Sequence, residues 1–159
     1  MPAKKLKRFL DENQVRYVSI QHSPAYTAQE IAASAHIPGR ELAKTVMVKI
    51  DGQMAMAVLP ATKKLDLELL QRAAGGKSAV LAGEREFKSM FPDCDAGAMP
   101  PFGNLYGLKV YADELLARDA SIAFNAGSHA ELIQLSYADF ARWVQPVIAP
   151  LAWTMKAMA

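Results

Sequence analysis

The sequence predicts an α+β fold, a mixed and partly barrel-like β-sheet flanked by helices. Segments of helical period stand near both ends and in the middle of the chain, and short apolar runs of strand length fill the space between them. Two of those runs are joined by Asp51-Gly52, a hairpin signal, since both central positions of a type I′ turn need positive φ. With 159 residues, 52% of them hydrophobic, the chain has the material for one domain with its own core. It shows no internal repeat and no low-complexity segment.

In chain order, Leu6, Phe9 and Leu10 share one face while Lys4, Lys5, Lys7 and Arg8 take the others, the spacing of an amphipathic helix. These four cations oppose the helix dipole. A solvated lysine face is the ordinary explanation and an anionic partner the alternative. Val15 to Ile20 reads as a strand. Thr27-Ala28-Gln29-Glu30 is a capping box for a second helix that runs to about Ala35 and is broken at Pro38-Gly39. Strands follow from Ala43 to Ile50 and, after Asp51-Gly52, in a second apolar run ending at Pro60. Asp66 caps a helix carrying Leu69, Leu70 and Ala73, with Gly75-Gly76 as its stop.

A short strand is expected at Ala79 to Ala82 and a short helix at Glu84 to Met90. Further strands are expected at Leu105 to Tyr111, Ala120 to Phe124 and His129 to Leu135, with a last helix from Tyr137 to Val144. We take residues 1–145 as the domain. Residues 146–159, which carry Leu151, Trp153, Met155 and Met158, form a tail packing on that domain or on a partner.

Composition and motifs exclude several function classes. A formal charge of +2 with 21% charged residues permits RNA binding without announcing it. One cysteine, Cys94, leaves no internal disulfide framework and suits a reducing compartment. The basic start lacks the apolar stretch of a secretory signal, and no apolar run is long enough to cross a bilayer. A cytoplasmic protein without membrane or DNA partners is therefore expected. His22, His36 and His129 have no metal-ligand spacing, so neither metal nor cofactor is expected. Gly75-Gly76-Lys77-Ser78 lacks the earlier glycine of a phosphate-binding loop, and no Gly-x-Ser-x-Gly elbow is present. Cys94 reads as a small hydrophobe in a loop rather than a nucleophile.

Three places can carry chemistry. Strand alternation puts Lys44 on the face of Val46, Val48 and Ile50, where an ammonium needs an anion, carbonyls or an open cleft. On spacing alone, a lysine snorkelling from the strand terminus fits equally well. The run from Asp95 to Asn104 holds two glycines and two prolines, so it is neither helix nor central strand. It is an ordinary loop or a stiff turn whose amides can bind an oxyanion. Asn125-Ala126-Gly127-Ser128-His129 delivers one hydroxyl and one imidazole at the start of a strand, where a structural histidine is the commoner outcome. His22 stands before a turn at Ser23-Pro24.

Taken together and in order, three segments resemble the YbaK/prolyl-tRNA synthetase associated domain family: His22-Ser23-Pro24 with Thr27-Ala28-Gln29-Glu30, then Ala43-Lys44-Thr45-Val46, then Gly97-Ala98-Met99-Pro100-Pro101-Phe102-Gly103. The resemblance runs from about residue 4 to residue 144. It implies an aminoacyl-tRNA editing domain, here without an attached synthetase, that acts in trans on the acceptor end of mischarged tRNA. A synthetase partner is compatible with it. It places the family's essential lysine on Lys44 and its Gly-x-x-x-Pro loop on Gly97 and Pro101.

In that role Lys44 holds the terminal phosphate or ester region and water attacks. The loop, with Met99, Phe102 and Gly103, fixes the aminoacyl group, and Ser128, His129 and His22 are candidate pocket lining. Met99-Pro100-Pro101 replaces the serine-proline of the cysteine-specific branch, which favours a small amino acid such as alanine or serine over cysteine. The alternative is a non-catalytic module that binds tRNA acceptor ends and assists a synthetase. A third reading, a small-molecule esterase, predicts turnover insensitive to salt.

Overall fold

Helical spacing of Leu6 and Leu10 gives α1 (Lys4–Glu12), and both leucines are fully buried. In the computed structural model, residues 4–22, 37, 41–95 and 97–153 are described. The expected capping box at Thr27 to Glu30, its helix and the Pro38-Gly39 break lie outside them. β1 (Tyr17–Gln21) follows, then β2 (Leu42–Ile50) and β3 (Gln53–Pro60). The turn between β2 and β3 has φ of 51° at Asp51 and 84° at Gly52, as a type I′ hairpin requires.

α2 (Leu67–Ala74) starts at Asp66, whose carboxylate accepts from the amides of Glu68 and Leu69, and stops at Gly75 with φ 65°. Such a cap contributes about 1 kcal/mol. β4 (Ala79–Leu81), α3 (Glu84–Phe87), β5 (Lys109–Asp113), β6 (Ser121–Asn125), β7 (Glu131–Ser136), α4 (Tyr137–Val144) and β8 (Val147–Ala149) complete the helices and strands of the described residues.

Among the described residues eight strands form one mixed sheet, seven of them in the order β1-β7-β6-β2-β3-β5-β8, with β4 paired to β2 off that path. β2 is the branch point: β3 covers one of its edges, while β6 and β4 divide the other, β6 at Leu42 and Ala43 and β4 at Val48 to Ile50. Helices flank both faces. Leu6 and Leu10 of α1, with Phe140 and Val144 of α4, join Ala43, Met47, Val58 and Phe124 in the largest apolar cluster. Leu70 of α2 packs with Val48, Ala57, Tyr111 and Leu151 in another. Among the described residues no helix is long and apolar enough to cross a membrane.

Several boundaries differ from expectation, β1 for instance starting at Tyr17 rather than Val15. Leu105 to Tyr111 is not one strand: a 3-10 turn occupies Gly103–Tyr106, Gly107 reverses the chain at φ 69°, and only then does β5 begin. The amide of Leu108 donates to the Gly103 carbonyl and closes that turn. His129 likewise precedes its strand, because the Ser128 hydroxyl accepts from the Ala130 amide and holds a local turn up to Glu131. In the tail, β8 pairs with β5, and the buried Asp113 carboxylate accepts from the amides of Leu151 and Ala152.

Candidate active site

Lys44 interrupts an otherwise apolar face of β2. Leu42, two residues before it, belongs to a small cluster with Ile37, Ala123 and Leu132, and Val46 and Val48, after it, belong to the cluster under α2. The parallel register pairs Leu42 with Ala123 and Ala43 with Phe124, so one step further Lys44 comes alongside Asn125 at the end of β6. Alternation places both polar side chains on the same face, just beyond the Leu42 cluster.

Lys44 is half-buried, and desolvation holds its pKa below the ordinary lysine value. Among the described residues no carboxylate pairs with it. Asn125 Oδ1 and Thr45 Oγ1 are buried and find no hydrogen-bond partner among the described residues. An ammonium short of an anion beside an acceptor short of a donor leaves capacity for a polar ligand.

Backbone hydrogen bonds join the other candidate segments. The amide of Asp95 donates to the Gly127 carbonyl at 2.8 Å, and the amide of Gly127 donates to the Ala98 carbonyl at 2.9 Å. The amide of His22 donates to the Ala130 carbonyl at 2.9 Å, which brings the end of β1 to the same turn. Gly97, at φ 81°, faces His129: a Cβ built there would stand 3.8 Å from Cε1 of the imidazole. His22 Nε2 and His129 Nδ1 are both shielded from solvent.

The remaining candidates do different work. Pro101 is buried, and the Phe102 ring packs against Phe9, Phe124 and Phe140 at centroid distances of 6.2, 5.7 and 5.9 Å, anchoring the loop from behind. Gly103 is fixed by packing, since a Cβ there would lie 2.6 Å from Val110 Cγ2 and 2.7 Å from the Leu108 carbonyl. Met99 lines a cavity of about 270 Å³ with Phe87, Phe91, Cys94 and Asp95, among others. Burial, then Asp93 and Asp95, push the Cys94 thiol up to about 11, so at neutral pH it is a protonated thiol and a poor nucleophile.

Sequence reasoning quoted Thr45 and Asn125 only as parts of motifs and missed their buried polar atoms. Alternation along Ser121, Ala123 and Asn125 would have placed the last on the Lys44 face once the β2–β6 register was known. That pairing joins residues about eighty positions apart and has no local signal. Among the described residues no group of three or more histidine, cysteine or acidic side chains is placed to hold a metal.

The profile of the family described as an aminoacyl-tRNA editing domain matches residues 22–143. The multifunctional Ser/Thr-tRNA deacylase ProXp-y of Escherichia coli is 38% identical over 109 residues, a match that spans 65% of this chain and 65% of that relative. The prolyl-tRNA editing protein ProX of Acetoanaerobium sticklandii is 25% identical over 142 residues, 86% of each chain. A crystal structure of a candidate trans-editing enzyme for prolyl-tRNA synthetase superposes with a TM-score of 0.82 at 19% identity, covering 96% of this chain and 97% of that one. At that identity the superposition speaks for the fold alone.

Proposed function

This chain belongs to the aminoacyl-tRNA editing domain family, and on that premise we propose that it is a hydrolase acting in trans, which removes a small, serine-like amino acid from mischarged tRNA. The observation that carries the proposal is the half-buried Lys44 ammonium, without a carboxylate partner among the described residues, at the strand end that also presents Asn125. The name of the ProXp-y relative supports serine or threonine as the amino acid.

In the proposed reaction Lys44 holds the phosphate or ester oxygens of the terminal adenosine. Amides of the loop around Gly97 face the carbonyl oxygen as it gains negative charge. A water oxygen attacks the ester carbonyl carbon, the bond from that carbon to the ribose oxygen breaks, and a proton passes to the ribose oxygen. Free amino acid and uncharged tRNA leave. No protein nucleophile is used, in keeping with the protonated Cys94.

Incubation with tRNAs carrying alanine, serine, threonine, cysteine or proline tests this. Serine or alanine is expected to be released fastest. Binding to all of them with turnover of none would transfer the assignment to a non-catalytic module that assists a synthetase.

A further inference from the structure

We propose that the outer face of α1, with Lys4, Lys5 and Arg8 continued by Arg142 of α4, is the surface that grips the phosphate backbone of the RNA stem next to the esterified 3′ end. The inference rests on the proposed tRNA substrate but concerns a different part of the molecule from the reacting centre.

The charge order of α1 runs against its own dipole. Lys4, Lys5, Lys7 and Arg8 are four of its first five residues, no acid stands in the first turn, no base stands in the last, and Asp11 and Glu12 close it. Each such placement weakens a helix modestly, so the order works against helix stability. One cation has a structural job: Lys7 Nζ lies 2.6 Å from the nearly buried Glu131 carboxylate, which also accepts from the Ser19 hydroxyl. Lys4, Lys5 and Arg8 are exposed and make no ion pair among the described residues. Lys5 lies 4.5 Å above the Tyr106 ring, which steers it without neutralising it.

The position of α1 gives these charges their meaning. Lys7 is tied to Glu131, two residues after His129, and Phe9 packs edge-on against Phe102 of the loop, so α1 is seated on both halves of the candidate active site. Phe9 also meets Trp143 at 5.8 Å, and the Arg142 guanidinium lies 5.1 Å from the centre of the Trp143 ring. The exposed Arg142 thus extends the ridge of cations along α4. With a formal charge of only +2 on the whole chain, such local concentration is what allows attraction to a polyanion. A lipid surface fits poorly, because Leu6 and Leu10, the apolar face of α1, are already buried in the core.

The test is a triple variant, Lys4→Gln with Lys5→Gln and Arg8→Gln, titrated with uncharged tRNA over a range of salt concentrations. Wild type is expected to bind with a steep salt dependence. The variant is expected to bind about tenfold or more weakly near 0.1 M salt, with the slope of log K against log salt shallower by about two to three, close to one per lost phosphate contact. Hydrolysis of serine esterified to adenosine alone is expected to be unchanged, and the melting temperature equal or higher, since cations that oppose the dipole have been removed. Equal affinity and equal slope for the two proteins would overturn the proposal. If wild type releases no amino acid from any tRNA while the variant still loses RNA affinity, the deacylase reading fails and the surface stands.

Discussion

The two ends of β2 carry one lysine each and treat it in opposite ways. At the far end, Lys49 donates to Glu86 at 2.5 Å, and the Asp51 carboxylate accepts from the amides of Lys77 and Ser78 at 2.8 and 2.9 Å. These polar groups are matched by neighbours, and this end is closed by its own hairpin and by β4. At the near end, Lys44 has no carboxylate, and the buried Asn125 oxygen on the same face has no partner among the described residues. One strand therefore shows what a group matched for stability looks like beside groups left open for something else.

Replacing Lys44 should break that contrast most visibly. Lys44→Met is expected to lower kcat/KM on mischarged tRNA by about 10²- to 10³-fold, the scale of losing a group that stabilises developing charge. Its stability should move the other way. Desolvation lowers the pKa of Lys44 in the folded chain below its unfolded value, so the unfolded chain holds that proton more tightly. This group therefore destabilises the fold below the folded pKa, and the penalty disappears as pH rises past the unfolded value. Denaturant melts at pH 7 should find Lys44→Met at least as stable as wild type.

Next in size is Gly97→Ala, because φ 81° is strained for a residue with a Cβ and the added methyl faces His129. Relief of that strain would shift the loop, and a loss of about 10- to 100-fold in kcat is expected with little change in tRNA affinity. Asp51→Ala should act only on the closed end. It removes two hydrogen bonds and the preferred residue of a tight turn, costing about 1 to 2 kcal/mol in a denaturant melt while the deacylation rate stays at the wild-type value. The smallest effect belongs to Lys49→Met: its ion pair with Glu86 is exposed, so neither the rate nor the melting temperature should move beyond experimental scatter.

The same division governs what could be read from the sequence. The β2–β3 hairpin, the Asp66 cap, the Gly75 stop and α4 rest on local chemistry, and all are legible in the sequence. So was the place of Lys44 on an apolar face, which needs only alternation. Where Leu105 to Tyr111 was expected as one strand, Gly107 divides it, because an apolar run does not announce a left-handed residue inside it. The role of Phe102 was hidden too: an aromatic in a Gly-Pro loop looks like pocket lining until Phe9, Phe124 and Phe140 are brought against it from three distant segments. Lys44 beside Asn125 depends on a parallel pairing that no turn or cap encodes.

Single-turnover clearance of seryl-tRNA, with wild type and Lys44→Met at RNA-saturating protein concentrations, tests most directly whether the open end of β2 is where the ester is broken. Wild type should release serine well above the spontaneous rate and Lys44→Met close to it, with both proteins folded and RNA-bound. Equal rates for the two would contradict the assignment of Lys44.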